Sequence, residues 1–329
     1  MRAAVIEEPG RTTVTTVDDP VPGPNEVVVD VALCGICGTD LHVHDGDFAP
    51  TTYPIIPGHE FAGEVVAVGS EVEDLAEGTY VAVDPSLFCG ACVQCRRGRG
   101  NLCERWGAIG VTASGGFAEL VSVPRANAYP LPPGVPRNWG GLVEPLSCCV
   151  HALDRLPLTA GDSVLLYGAG TMGLLLGQLL RRADVTRLDV VDVNPERLPL
   201  ASRLCADGTA TSADTLSAER WDVVIDATGA IPAVDDGLPR VRPGGTFLMF
   251  GVAPEHATTQ FSPFTVYNSE ISIIGSIAVL HSFGRAVDLL ASGAVDGDAL
   301  VQDTVPLEDF AKGLDQLRSG RGLKTSVTP

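Results

Sequence analysis

The segment Val164–Gly173, VLLYGAGTMG, decides the fold of the second half of this chain. A short apolar stretch is followed directly by glycines spaced G-x-G-x-x-G, and a helix-like stretch comes next. The first glycine permits a tight turn, the second lets the backbone approach a pyrophosphate, and the third lets helix and strand pack closely. The helix N-terminus then faces the phosphate charge. The predicted dinucleotide-binding residues of this turn are Gly168, Gly170, Thr171, Met172 and Gly173.

Asp192 strengthens this prediction, because it follows the next apolar run. A carboxylate at that position accepts a hydrogen bond from the 2′-hydroxyl of the adenine ribose. It would repel a 2′-phosphate, and no Arg follows immediately. We therefore expect NAD rather than NADP as the cofactor.

Outward from the glycine turn, apolar runs alternate with helix-length stretches. RLDVVDV (Arg187–Val193), WDVVIDATG (Trp221–Gly229) and GTFLMFGV (Gly245–Val252) are the runs that follow. Fully apolar strands separated by helices indicate a parallel sheet covered on both faces. We expect an α/β, doubly wound cofactor domain over residues 151–280.

The first part of the chain has a different texture, with short β-branched segments interrupted by Gly and Pro. Examples are EVVVDVAL (Glu26–Leu33) and GEVVAVGS (Gly63–Ser70). This pattern predicts a β-rich domain over residues 1–150. Two amphipathic stretches and a short end follow the cofactor domain, and we expect residues 281–329 to return to the first domain.

Composition restricts the partners. The net charge is −19, with 41 Asp+Glu against 22 Lys+Arg, so the average surface repels nucleic acid and anionic membranes. No apolar run approaches the roughly 18 residues of a membrane span, and the first residues do not resemble a signal peptide. We expect a cytoplasmic protein, whose nine cysteines serve metal or thiol chemistry rather than disulfides.

Four of these cysteines form the pattern C-x2-C-x2-C-x7-C in a Gly-rich segment. They are Cys89, Cys92, Cys95 and Cys103. Four thiolates can close a tetrahedron around a structural Zn²⁺. An iron–sulfur cluster is the alternative, but its bacterial run has a fourth Cys three residues later, before Pro. Free thiols are the remaining alternative, and the spacing favours structural zinc.

A second group of metal-ligand candidates lies on separate segments. CGICGTDLH (Cys34–His42), GHEFAGEV (Gly58–Val65) and LVEPLSCCVHAL around Glu144 offer a thiolate, an imidazole and two carboxylates. A zinc ion that keeps one position open for substrate needs ligands of these types.

These motifs resemble those of the zinc-dependent medium-chain alcohol dehydrogenases, specifically the polyol (sorbitol-like) and threonine dehydrogenase branch. The resemblance covers essentially the whole chain and implies a GroES-like catalytic domain with a Rossmann cofactor domain. It implies that Cys37 and His59 bind the catalytic zinc. Family members differ over the third ligand, so Glu60 and Glu144 both remain metal-site candidates. Two zinc ions per chain are implied, one catalytic and one structural.

The resemblance also implies roles around the reacting atoms. Thr39 would hydrogen-bond the reacting oxygen and pass its proton toward the cofactor ribose and His42. Arg197, Thr228 and Gly251 resemble residues near the cofactor. The implied reaction is the reversible, NAD-dependent oxidation of a secondary alcohol to a ketone, with zinc as a Lewis acid.

Alternatives remain for the substrate and the class of function. The loop at Ile277–Phe283 is more apolar than in related chains, so a less hydroxylated alcohol, or an amino alcohol such as threonine, competes with a polyol. A zinc-free quinone or enoyl reductase would lack Cys37 and His59, and a catalytically silent NAD-binding protein would show erosion of Thr39 or a zinc ligand. The resemblance further implies a homodimer or homotetramer formed through the sheet edge near Ile271–Ser276.

Overall fold

The computed structural model describes residues 1–48, 50–320 and 322–329. The chain folds into two compact units. The first comprises residues Met1–Ser147, Val279–Gly293 and Gly297–Pro329, and the second comprises Cys148–Ala278 and Ala294–Asp296. In the described part of the chain, no helix has the length and apolar character needed to cross a membrane.

The first unit begins with short antiparallel strands, as its β-branched segments predict. Its first strands are β1 (Arg2–Glu8), β2 (Arg11–Thr16), β3 (Glu26–Gly35), β4 (Glu60–Val68), β5 (Tyr80–Val83), β6 (Ser86–Leu87), β7 (Gly107–Ala108), β8 (Leu120–Pro124) and β9 (Ala128–Pro130). Its helices are α1 (Gly38–Asp45) and α2 (Val93–Arg96), and α3 (Val143–Arg155) begins in this unit and ends in the second.

The second unit contains a parallel sheet covered by helices. Its strands are β10 (Ser163–Tyr167), β11 (Arg187–Val191), β12 (Gly208–Ala210), β13 (Trp221–Asp226), β14 (Val241–Met249) and β15 (Ser272–Gly275). Its helices are α4 (Thr171–Arg181), α5 (Leu198–Leu204), α6 (Ile231–Gly237) and α7 (Pro263–Asn268). The strand order β12-β11-β10-β13-β14-β15 is that of a Rossmann fold and confirms the predicted doubly wound sheet.

The last segments of the chain return to the first unit. They form α8 (Phe283–Ala291), β16 (Val301–Pro306), α9 (Phe310–Arg318) and β17 (Lys324–Thr328). Strand β17 pairs with β3, so the main sheet of this unit has the order β16-β17-β3-β4-β5-β9, with β8 also paired to β3. This pairing places the C-terminal strand beside the end of β3, from which the chain leads into α1.

Each unit has its own buried core. In the first, the rings of Phe117 and Phe310 lie 4.5 Å apart and pack with Phe61. In the second, Trp221 and Phe247 are fully buried against the apolar strand β10. These cores hold the strand ends, where the candidate functional residues lie, in fixed positions.

Candidate active site and zinc-binding lobe

Cys37 and His59 lie at the paired ends of two antiparallel strands. Gly35, the last residue of β3, faces Glu60, the first residue of β4. Cys37 follows β3 as the N-cap residue of α1, and His59 directly precedes β4. One potential ligand atom from each of Cys37, His59 and Glu60 lies within 4.8 Å of the other two. Strand pairing therefore brings a thiol, an imidazole and a carboxylate together.

Asp40 orients two of these groups, although sequence reasoning did not single it out. It is fully buried, and its Oδ2 accepts a hydrogen bond from the backbone N–H of Cys37 at 2.8 Å. Its Oδ1 lies 3.4 Å from His59 Nδ1. An acidic residue three positions after a helix N-cap is the sequence pattern of a capping box. That pattern, C-G-T-D, is the signal that identifies Asp40.

The electrostatics of this cluster favour a cation. Burial opposes protonation of His59, but the negative charges of Asp40 and Cys37 raise its pKa well above the usual value. Within the described residues, Glu60 Oε1 is a buried polar atom that lacks a hydrogen-bond partner. Buried polar atoms of this kind require a partner, and a donor set of sulfur, nitrogen and oxygen suits Zn²⁺. The residues present therefore fit a zinc ion.

The two candidate carboxylates occupy different places. Glu60 is almost fully buried and belongs to the ligand cluster. Glu144 is the second residue of α3, is half-buried, and is not part of that cluster among the residues described. Its charge nevertheless acts on buried Lys324, beside Glu60. The geometry favours Glu60 as the carboxylate of the cluster.

Lys324 is a second buried residue that sequence reasoning missed. Its Nζ donates to the carbonyl oxygen of Ile36 at 3.1 Å and to Glu60 Oε2. Burial opposes its charge, but the negative charges of Glu60, Cys37 and Glu144 raise its pKa above the usual value. One feature of the sequence could have indicated Lys324. It lies in the short, strand-like C-terminal segment of a chain whose only other lysine is Lys312.

The proposed relay residues lie on α1. The Thr39 hydroxyl is 3.8 Å from Cys37 Sγ, and both Thr39 and His42 are half-buried. Residues three apart on a helix are neighbours on its surface. The structure thus places the Thr39 hydroxyl near Cys37, with His42 three residues further along the same helix.

The cysteine-rich segment forms a separate lobe whose thiols converge. The Sγ atoms of Cys89, Cys92, Cys95 and Cys103 all lie within 4.8 Å of one another. Cys89 Sγ is 4.0 Å from Cys95 Sγ, and Cys92 Sγ is 3.9 Å from Cys103 Sγ. A tetrahedron with Zn–S bonds of about 2.3 Å has edges of about 3.8 Å, so the thiols fit a closed zinc site.

Backbone amides of the lobe point at its sulfur atoms. The N–H groups of Ala91 and Cys92 donate to Cys89 Sγ and lower the pKa of Cys89. Burial raises the pKa of Cys95, as do the neighbouring thiols, because adjacent thiolates repel one another. A bound dication would neutralise this repulsion.

The glycine turn adopts the geometry that its spacing predicts. Gly168 has a φ of 105°, which L-residues rarely adopt, and Gly170 caps α4 in an extended conformation. A Cβ on Gly173 would collide with the carbonyl oxygen of Gly168. Thr171 and Met172 are the first residues of α4. Their amides lie at the helix N-terminus, where a phosphate binds.

Asp192 and Arg197 lie close together beside this turn. Asp192 Oδ2 accepts from the N–H of Ala169 at 2.7 Å, and its Oδ1 accepts from the N–H of Asn194 at 2.8 Å. Arg197 Nη1 is 3.6 Å from Asp192 Oδ2. The structure thus places the guanidinium of Arg197, which the resemblance put near the cofactor, next to the carboxylate of Asp192.

Thr228 and Gly251 are both hydrogen-bonded to Asp226, the last residue of β13. Asp226 Oδ1 accepts from the Thr228 hydroxyl at 2.6 Å and from its backbone N–H at 2.8 Å. The N–H of Gly251 donates to the backbone oxygen of Asp226 at 2.8 Å. Both predicted cofactor residues therefore lie at the carboxyl ends of parallel strands, where nucleotides bind in such sheets.

Two family models match this chain. Residues 23–133 match the alcohol dehydrogenase GroES-like domain, and residues 171–292 match the zinc-binding dehydrogenase family. A curated relative, D-arabinitol dehydrogenase 1 of Uromyces fabae, is 36% identical over 100% of this chain and 97% of its own length.

Solved structures share the fold over the full length. A zinc-binding dehydrogenase from Sinorhizobium meliloti 1021 bound to NADP superposes with a TM-score of 0.94 at 35% identity, covering 100% of this chain and 99% of the other. An alcohol dehydrogenase from Escherichia coli CFT073 in complex with NADH gives a TM-score of 0.93 at 29% identity, with the same coverage.

Proposed function

This chain belongs to the zinc-dependent medium-chain alcohol dehydrogenase superfamily, and from that premise we propose that it oxidises a secondary alcohol of a polyol-like metabolite reversibly to a ketone, using NAD. The observation that carries the proposal is the clustering of Cys37, His59 and Glu60 next to a hydroxyl and an imidazole on α1. A catalytically silent NAD-binding protein would not require this combination of metal ligands, hydroxyl and imidazole.

Cys37, His59 and Glu60 would hold the catalytic zinc, with Glu144 as a neighbouring acidic residue. Because His59 Nδ1 faces Asp40, its Nε2 is the nitrogen available to the metal. A zinc ion there would act as a Lewis acid toward the alcohol oxygen. As the Thr39 hydroxyl accepts the alcohol proton, it gives up its own proton toward the cofactor ribose and His42. The cysteine lobe holds a second, structural zinc.

The cofactor domain comprises residues 151–280, and residues 1–150 with 281–329 form the catalytic domain. The glycine turn binds the pyrophosphate, and Asp192 accepts from the adenosine ribose. Arg197, Thr228 and Gly251 complete the nucleotide site. We propose NAD because the Asp192 carboxylate disfavours a 2′-phosphate, although Arg197 reduces that discrimination.

The substrate class follows from two observations. The D-arabinitol dehydrogenase relative aligns over the whole chain. The resemblance to the polyol branch further implies that Glu144 stands where simple alcohol dehydrogenases have a Cys. The loop at Ile277–Phe283 limits this assignment, because its side chains are mainly apolar. The likeness to polyol dehydrogenases and the apolar loop together favour a polyol that carries few hydroxyl groups besides the one that is oxidised.

The decisive experiment measures reduction of NAD and NADP over polyols, amino alcohols and simple secondary alcohols. We expect the highest kcat/KM with a polyol and NAD, and loss of at least about 10³-fold in kcat for Cys37→Ser, since the metal site would be broken. A Cys205→Ala variant, changed in the other unit, serves as the control. Preference for an amino alcohol would assign the threonine-type function, and the absence of turnover with every alcohol would refute the proposal.

We also propose that the protein is a homodimer or homotetramer of the cytoplasm. Strand β15 is the edge of the six-stranded sheet, and an edge strand presents unpaired backbone groups to a partner. The nine cysteines, which all lie within the described residues, form no disulfide bond, and this suits a reducing compartment.

A further inference from the structure

Lys324 is a lysine in an unusual position. Its relative accessibility is only 4%, whereas the side chain of the other lysine, Lys312, is 73% exposed. It begins β17, the strand that pairs with the end of β3. Its Nζ donates to Ile36 O and to Glu60 Oε2, so two contacts fix the ammonium group.

The two oxygens of Glu60 have different surroundings. Oε2 is held by the Lys324 ammonium, whereas Oε1 is buried without a hydrogen-bond partner among the described residues. Leaving a buried carboxylate oxygen unpaired is costly. Oε1 is therefore the oxygen that remains for a cation at the cluster of Cys37 and His59.

The backbone is shaped to admit this ion pair. Gly35 faces Glu60 across the strand pair, and a Cβ at Gly35 would collide with Glu60 Oε2 and lie 3.2 Å from Lys324 Cδ. Buried ion pairs add little net stability compared with apolar residues of similar volume. A stabilising role alone thus gives no reason for a buried lysine at this position.

We propose that Lys324 is a positioning residue of the metal site, which holds Glu60 Oε2 so that Glu60 meets the zinc through Oε1 alone. This inference rests on the proposed function, because it requires zinc at Cys37, His59 and Glu60. The ammonium shares the charge of the carboxylate with the metal and prevents Glu60 from turning both oxygens toward it.

The test compares zinc affinity and metal geometry in purified full-length variants. Lys324→Met removes the ammonium, Lys324→Arg retains a charged donor, and Lys324→Gln removes only the charge if the Met variant fails to fold. Lys312→Met is the matched control, because it removes the other lysine from the surface of the same unit. Competition with a chromogenic chelator reports zinc affinity, and the visible spectrum of the Co²⁺-substituted protein reports coordination.

Loss of Lys324 should lower the affinity of the catalytic site for zinc by about 10–100-fold, as is typical when a residue supporting a metal ligand is removed. The Co²⁺ bands should change in Lys324→Met and Lys324→Gln and return toward those of the wild type in Lys324→Arg. In a Glu60→Gln background, adding Lys324→Met should have little further effect, because Lys324 acts through Glu60.

Unchanged Co²⁺ bands and zinc affinity in Lys324→Met would overturn the inference, as would an equal loss of affinity with and without Glu60→Gln. Tighter zinc binding would also overturn it, since Lys324 would then act by repelling the metal. Failure of the proposed function looks different. In that case the wild-type protein itself would bind no zinc that depends on Cys37.

Discussion

Asp40 shows how one side chain can set the geometry of a metal site. It accepts the backbone N–H of Cys37 with one oxygen and faces His59 with the other. Groups hydrogen-bonded to metal ligands orient them and raise their basicity. Asp40 is also fully buried, so its charge acts in a medium that screens it poorly.

We predict that Asp40→Asn weakens zinc binding at the catalytic site by about 10–100-fold, because the ligands lose both orientation and a neighbouring negative charge. Chelator competition measures the affinity, and the zinc of the cysteine lobe should remain bound. Asp47→Asn, at an exposed position just beyond α1, is the control. Wild-type affinity in Asp40→Asn would show that this carboxylate does not support the metal.

The ion pair of Asp192 and Arg197 bears on the choice between NAD and NADP. A carboxylate after the second strand of the Rossmann sheet predicts NAD, but the guanidinium 3.6 Å away offsets part of its charge. The two residues are close along the chain, and the short turn Pro195–Arg197 brings the guanidinium to the carboxylate. Cofactor preference is therefore a balance between two charges rather than the property of one residue.

Among the elements, the cysteine lobe is the most self-contained. The thiols that converge come from one short segment, and amides of the same segment donate to their sulfur atoms. The spacing of the four cysteines along the chain was therefore enough to predict a zinc site in this lobe. The regular structure within it is limited to short pieces such as α2, so a bound metal would supply much of its order.

Cys103→Ala should reduce the zinc content from two ions per chain to one. It should also lower the melting temperature of the first unit by roughly 6–12 °C, since loss of a metal destabilises by about 3 kcal/mol or more. Elemental analysis and calorimetry measure the two quantities. Cys205→Ala, a buried cysteine of the second unit, should keep both zinc ions. If the zinc content of Cys103→Ala were unchanged, the cysteine lobe would not be a zinc site.

The parallel sheet of the second unit ends in the edge strand β15. The order of the six strands leaves β15 with one neighbour, and Phe264 and Tyr267 of the preceding helix are 69% and 81% exposed. Edge strands beside exposed aromatic side chains are prone to pair with another chain. The net charge of −19 opposes unspecific association, so a defined contact is needed.

Light scattering should accordingly give a mass that is two or four times the 34.3 kDa of the chain. Placing a charge on the edge strand with Ile274→Lys should shift the mass toward that of one chain, because an inserted lysine disfavours strand pairing. Val21→Lys, at a position 85% exposed in the first unit, should leave the mass unchanged. A wild-type mass of one chain would refute the proposed association.

The family, the doubly wound sheet, and the local motifs of the glycine turn and the cysteine lobe can all be predicted from the sequence. These features depend on residues close together along the chain, where spacing and turn chemistry dictate geometry. The sequence does not show that Glu60, rather than Glu144, lies with Cys37 and His59 among the described residues, or that Lys324 lies against Glu60. Those contacts depend on the pairing of β17 with β3 and of β3 with β4, and long-range strand register cannot be read from spacing.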